Sequence, residues 1–143
     1  MSSFFEKVIL NNGVEIPNRL VIAPITLFSS NPDGTLNNAE REYLKLRGTN
    51  IGLYILGATS VSQEGISFEN QPRAISEKDL PSLTERAKII KNQGAKVILQ
   101  LHHGGIDSDK EYSGVDPVII DKLTNQEIIK IIEDFGKATE FAI

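Results

Sequence analysis

The chain has no cysteine, no tryptophan, one methionine and only 6% aromatic residues. Without cysteine there is no disulfide, no thiolate nucleophile and no cysteine-ligated metal or iron–sulfur centre in this stretch, so stability has to come from packing. Basic charge is also scarce. Fifteen Lys and Arg face nineteen Asp and Glu, for a net charge of −4, and the two signs are interspersed without a basic stripe, which excludes a nucleic-acid partner. No apolar run approaches the roughly 20 residues of a membrane span, and Met1 to Leu10 lacks the basic start and long apolar core of an export signal. We therefore expect a cytoplasmic protein with neither membrane nor nucleic acid as partner. What is present is 40% hydrophobic residues in 143, enough for the core of one domain.

The order of apolar and turn-forming segments sets the fold class. Asn12-Gly13 sits between two short β-prone runs in Lys7 to Ile16, a strong hairpin signal. Leu20 to Ala23, ended by Pro24, is a continuous apolar run that suits a strand buried on both faces. A polar turn from Ser29 to Gly34 and a helix over Asn38 to Arg47 follow, the latter with Leu44 inward and Glu40, Arg41, Glu42, Lys45 and Arg47 on a solvated charged face. The pattern then repeats. A strand over Leu53 to Gly57 precedes a helix opened by Ser76 and Asp79 as a capping box, carrying Leu83, Ala87 and Ile90 inward and ending at Gly94. A third strand, Val97 to Gln100, leads through a long loop to the capping box Thr124/Glu127, and Ile128, Ile131, Ile132, Phe135 and Ala138 recur at helical spacing after it. Alternating strands and helices imply right-handed crossovers and a parallel sheet, in a doubly wound or a barrel arrangement.

In a parallel barrel, ligand-binding groups gather at the carboxyl ends of the strands. Three small clusters fall there: Ala23 to Thr26, Gly57 to Ser60, and Gln100 to Gly105. Their small residues let a planar ligand approach the backbone, and Thr26, Gln100 and His102 supply hydrogen-bonding groups for a heteroaromatic edge. Gln100 inside an apolar strand requires a partner, which favours ligand contact. His102 and His103 are consecutive strand residues that point to opposite faces, so they do not make a metal pair. Asp33 and Asp107 sit in turns where Asp satisfies backbone donors.

Together, Asn18 to Thr26, Asp33-Gly34-Thr35, Gly52 to Ser62 with Glu64-Gly65, and Gly94 to Gly105 resemble the old yellow enzyme family of flavin oxidoreductases, over nearly the whole chain. The resemblance implies a partial (β/α)8 TIM barrel, with an N-terminal hairpin and about three βα units. Residues 1–143 would be the N-terminal part of one FMN-binding barrel domain whose remainder is absent. It implies an ene-reductase in which FMN, reduced by NADH or NADPH, reduces an electron-poor alkene. By motif match, the Pro24 and Ile25 backbones line the flavin, Thr26 donates a hydrogen bond near its O4 and N5 edge, Ala58 packs on the ring and Gln100 meets the pyrimidine edge. Phe28 and His102 face the substrate.

Three positions depart from the family pattern. Ile25 stands where methionine is usual, Phe28 where one branch has a tyrosine, and Ile106-Asp107 where a basic residue often follows. The family's substrate clamp, proton-donating tyrosine and phosphate loops belong to later strands, so no catalytic residue is expected within this chain. A polypeptide ending at Ile143 is expected not to reduce an enone at a useful rate. The alternative reading is a non-catalytic half-barrel that self-associates into a homo-oligomer or complements another chain.

Overall fold

The computed structural model describes residues 3–143. Its opening hairpin pairs β1 (Val8–Ile9) with β2 (Glu15–Ile16) in antiparallel register, Val8 opposite Ile16. Gly13 takes the left-handed backbone at φ +83° that the turn requires, and Asn12 Oδ1 accepts from the Val14 N–H. β3 (Val21–Ile22), β4 (Leu53–Ser60) and β5 (Lys96–His102) then form one sheet in the order β3-β4-β5, both pairings parallel. α1 (Asn38–Arg47) follows β3, α2 (Leu80–Lys91) follows β4, and α4 (Asn125–Ala142) follows β5. The alternation read from the sequence is therefore present, with β3 shorter than expected and β4 and β5 longer.

Local chemistry starts each helix. Asn37 Oδ1 accepts from Glu40 N at the head of α1, the Asp79 carboxylate accepts from Ile75 N and Ser76 N ahead of α2, and Thr124 and Glu127 cap α4 reciprocally. The long loop after β5 contains a one-turn helix, α3 (Lys110–Ser113), ended by Gly114 at φ +73°.

The sheet packs against the helices through Leu36, Leu44, Tyr54, Leu56, Ile90 and Ala95, and through Val61, Ala74, Leu83 and Ala138. Its other face is open among the described residues. Val21 is 51% and Ile98 48% exposed, so the apolar strands are buried on one face, contrary to the two-sided burial expected. α4 behaves alike: only Ala138 is buried, while Ile128 and Ile132 are exposed.

A second correction concerns α1. Glu40, assigned to a solvated face, is buried at 4% exposure because Arg86 of α2, at 2%, meets it. The guanidinium grips the carboxylate with two forked bonds, Nε to Oε1 at 2.8 Å and Nη2 to Oε2 at 2.9 Å. Arg86 Nη1 donates to Ser82 Oγ, and Nη2 also reaches Ser30 Oγ and the Gly34 carbonyl. Ser30 in turn donates to Glu40 Oε2 at 2.8 Å. A charge this deep is tolerable only when paired and hydrogen-bonded.

Breaking the pair from one side leaves an uncompensated buried charge, so Arg86→Leu is expected to cost about 3–5 kcal/mol. The double variant Glu40→Leu/Arg86→Leu should recover much of that loss. Urea unfolding of the three proteins checks this, and a single-variant loss below about 1 kcal/mol would show that the pair behaves like a surface bridge.

Candidate functional site

Because the three strands run parallel, their carboxyl ends share one side of the sheet, and the segments after them meet there. Ile25 crosses directly over Gly57: a Cβ at Gly57 would lie 2.3 Å from the Ile25 carbonyl oxygen. Only glycine permits that approach. Ladder pairs Leu56–Leu99 and Thr59–Leu101 bracket a bulge in which Gly57 and Ala58 together face the single residue Gln100. Bulges of this kind re-aim strand ends beside active sites.

Ile25, Thr26, Phe28 and Ala58 line one cavity, together with Phe68 and Asn70 from the loop after β4. Glu40, Tyr54 and Arg86 line it as well. Pro24 is half-buried and leads into Ile25. Gln100 is not part of that cavity lining. It stands next to Ala58 across the bulge, exposed on the open face of the sheet. Thr26 and Ala58 are thus brought together, and Gln100 neighbours Ala58 alone, by register.

Phe28 adopts a left-handed backbone at φ +52°, a conformation that costs about 1–3 kcal/mol for such a residue and persists only where surroundings impose it. Here its ring meets Phe68 edge-on at 5.2 Å, and its carbonyl accepts from Asn70 Nδ2 at 3.3 Å. Asn70 is itself left-handed at φ +55°. Phe68 also lies 6.5 Å from the His102 ring. His102 Nε2 is 3.0 Å from Ser67 Oγ, and burial, then the neighbouring His103, hold its pKa below the usual imidazole value. The buried Gln71 ties the same loop to the strand end, accepting from Ser67 N and donating to the Ala58 carbonyl.

His103 goes the other way. Its ring packs beneath Gly65, its Nδ1 accepts from the Gly105 N–H, and burial lowers its pKa. Burial pushes Glu64 up, but Lys130 outweighs it and holds that carboxylate below its usual range. Asp33 serves its turn, accepting from Thr35 N and Oγ1; Asp107 lies in a short 3-10 turn. The sequence reading missed Ser67, Phe68, Asn70 and Gln71. Their segment has no periodic pattern, and only its closeness to Pro72 signalled a turn.

A flat heteroaromatic ring needs a shelf free of projecting side chains and donors at its edge. Ala58, next to the Ile25 backbone that covers Gly57, supplies such a surface; the exposed Thr26 lines the same cavity, and the exposed Gln100 faces Ala58 across the bulge. These residues fit a flavin. No helix among the described residues is long and apolar enough to cross a membrane.

Both histidines are held as neutral rings, with folded pKa values lowered from 6.5. The unfolded chain therefore binds more protons as pH falls through about 6.5. Stability should be complete above that pH and decline below it. His102→Gln should flatten the dependence of the urea midpoint on pH between about 7.5 and 5; an unchanged slope would contradict neutral burial of this ring.

Comparison with known proteins bears on the same arrangement. The chain is 35% identical over 151 residues to the probable NADH-dependent flavin oxidoreductase YqiG of Bacillus subtilis (strain 168), covering 97% of this chain and 41% of that protein. It thus spans about two-fifths of that relative's length. It superposes on the old yellow enzyme homologue from Zymomonas mobilis with a TM-score of 0.87 at 23% identity, covering 99% of this chain and 45% of the other. For morphinone reductase the TM-score is 0.84 at 23% identity, with 97% and 44% covered. At that identity the likeness shows the fold, the opening part of an old yellow enzyme TIM barrel. The model of the NADH:flavin oxidoreductase / NADH oxidase family matches residues 3–143, and the chain belongs to that family.

Proposed function

We propose that this chain supplies the first wall of an FMN site in an ene-reductase that uses NADH or NADPH to reduce activated C=C bonds. The observation that carries the reading is the grouping of Thr26 and Ala58 in one cavity with Gln100 beside Ala58. The bound flavin would accept hydride from the nicotinamide and pass it to an electron-poor alkene. The protein's part is to bind and orient. Thr26 offers a hydroxyl donor to the O4 and N5 edge, where a fixed donor stabilises charge on the reduced ring. The Gln100 amide offers both donor and acceptor to the pyrimidine edge. Pro24 and Ile25 line the ring with backbone, and Ala58 packs on its face without obstructing it.

Phe28 and His102 would face the alkene. Both already touch or neighbour Phe68, so they form one wall rather than two isolated contacts. With burial opposing its protonation, His102 presents a neutral ring near neutral pH and adds no charge there.

The test is an FMN titration of the protein expressed from the complete reading frame containing this chain, read by quenching of flavin fluorescence. A neutral hydrogen bond contributes about 0.5–1.5 kcal/mol, so Thr26→Val and Gln100→Ala should each weaken binding about 2- to 12-fold. Thr26→Val should also shift the flavin reduction potential. Full affinity and an unchanged potential in both variants would remove the proposed site.

A further inference from the structure

The Arg86 network runs along the cavity and holds the segment that enters it. Ile25 to Ser30 belongs to no helix or strand, yet it contains the left-handed Phe28. On one side that residue is restrained by Asn70 and Phe68. On the other, the Ser29 carbonyl accepts from Asn37 Nδ2, and the Ser30 hydroxyl is enclosed between Arg86 and Glu40. Further along, Arg86 reaches Gly34 O, and Ser82 Oγ accepts from Leu36 N at 2.6 Å. Ser82 and Arg86 are four residues apart, adjacent on one face of α2, and Leu83 and Ile90 anchor that helix in the core. One buried fork therefore connects an irregular segment to a helix packed in the core.

We propose that Arg86 is a positioning residue: by holding Ser30 and Gly34 it fixes the left-handed backbone of Phe28, and with it the placement of Thr26 and Phe28 over the ends of β3 and β4. The functional meaning rests on the flavin reading above; the mechanical claim does not. Arginine suits this task because its planar fork serves the carboxylate with two nitrogens while the outer one still reaches Ser30 and Gly34. A lysine keeps the charge but presents a single nitrogen, so it cannot hold all of these points. Removing the Ser30 hydroxyl leaves the ion pair intact and cuts only the link to the segment.

The experiment measures backbone ¹⁵N order parameters in the 143-residue chain, Ser30→Ala and Arg86→Lys. Rigid backbone gives about 0.85 and flexible backbone below about 0.6. In both variants Leu27 to Ser30 should fall from the first range to the second, while α2 and β4 stay rigid; the Phe28 chemical shifts should leave the left-handed range. Ser30→Ala keeps the proposal testable if Arg86→Lys does not fold. Unchanged values at Leu27 to Ser30 would overturn it, as would an even loss across α1, α2 and β4, which would make Arg86 a general stabiliser. An FMN titration of Ser30→Ala and Arg86→Lys, made in the protein used for the titration proposed above, separates the two readings. Severalfold weaker binding in the variants supports both, whereas a loosened segment with unaltered FMN affinity supports positioning and removes the flavin assignment.

Discussion

The arrangement of this chain depends on one buried ion pair. Arg86 and Glu40 come from different helices, α2 and α1, and both are almost wholly excluded from water. A guanidinium in such a place must find acceptors for its N–H groups, and the described structure finds them in Glu40, Ser82, Ser30 and Gly34. Satisfying that demand decides the angle at which α1 approaches α2 and the path of the connection from β3. The half-buried pair Arg41–Glu85 links the same two helices by a second forked contact, more open to solvent screening than the first.

Above the ion pair, the chemistry-bearing side chains are placed by backbone geometry more than by their own contacts. Parallel strands deliver three carboxyl ends to one side, and the bulge in β4 brings Gly57 and Ala58 opposite Gln100. Side-chain amides then fasten the irregular connections: Asn37 to Ser29, Asn70 to Phe28, Gln71 to both Ser67 and Ala58. Each amide replaces a hydrogen bond that secondary structure would otherwise supply, as buried or half-buried backbone requires. The result is a wall in which Phe28 comes from the connection after β3, Phe68 from the loop after β4 and His102 from the end of β5.

Family membership and this geometry answer different questions. The barrel is shared with structures only 23% identical, and such a fold hosts many activities. Within that fold, Ile25 and Phe28 lie in the connection after β3, and Ile106 lies in the loop after β5. The phenyl ring of Phe28 donates no hydrogen bond and is committed to an edge-on contact with Phe68.

The sequence by itself determined whatever depends on residues a few positions apart. Asn12-Gly13 specified the hairpin turn, Thr124 and Glu127 specified the start of α4, and the alternation of apolar runs with capped helices specified parallel βα units, because turns, caps and amphipathic periods are local. That Thr26 and Ala58 line one cavity followed from the same alternation. Only the tertiary structure decided the partner of Glu40, which sits among charged neighbours in α1 and meets a guanidinium 46 residues away. No local pattern separates a solvated carboxylate from a buried one. The bulge opposite Gln100, the bridging place of Phe68 and the one-sided burial of the strands were likewise settled by what lies across space, since an apolar run records a preference for burial but not which of its faces is covered.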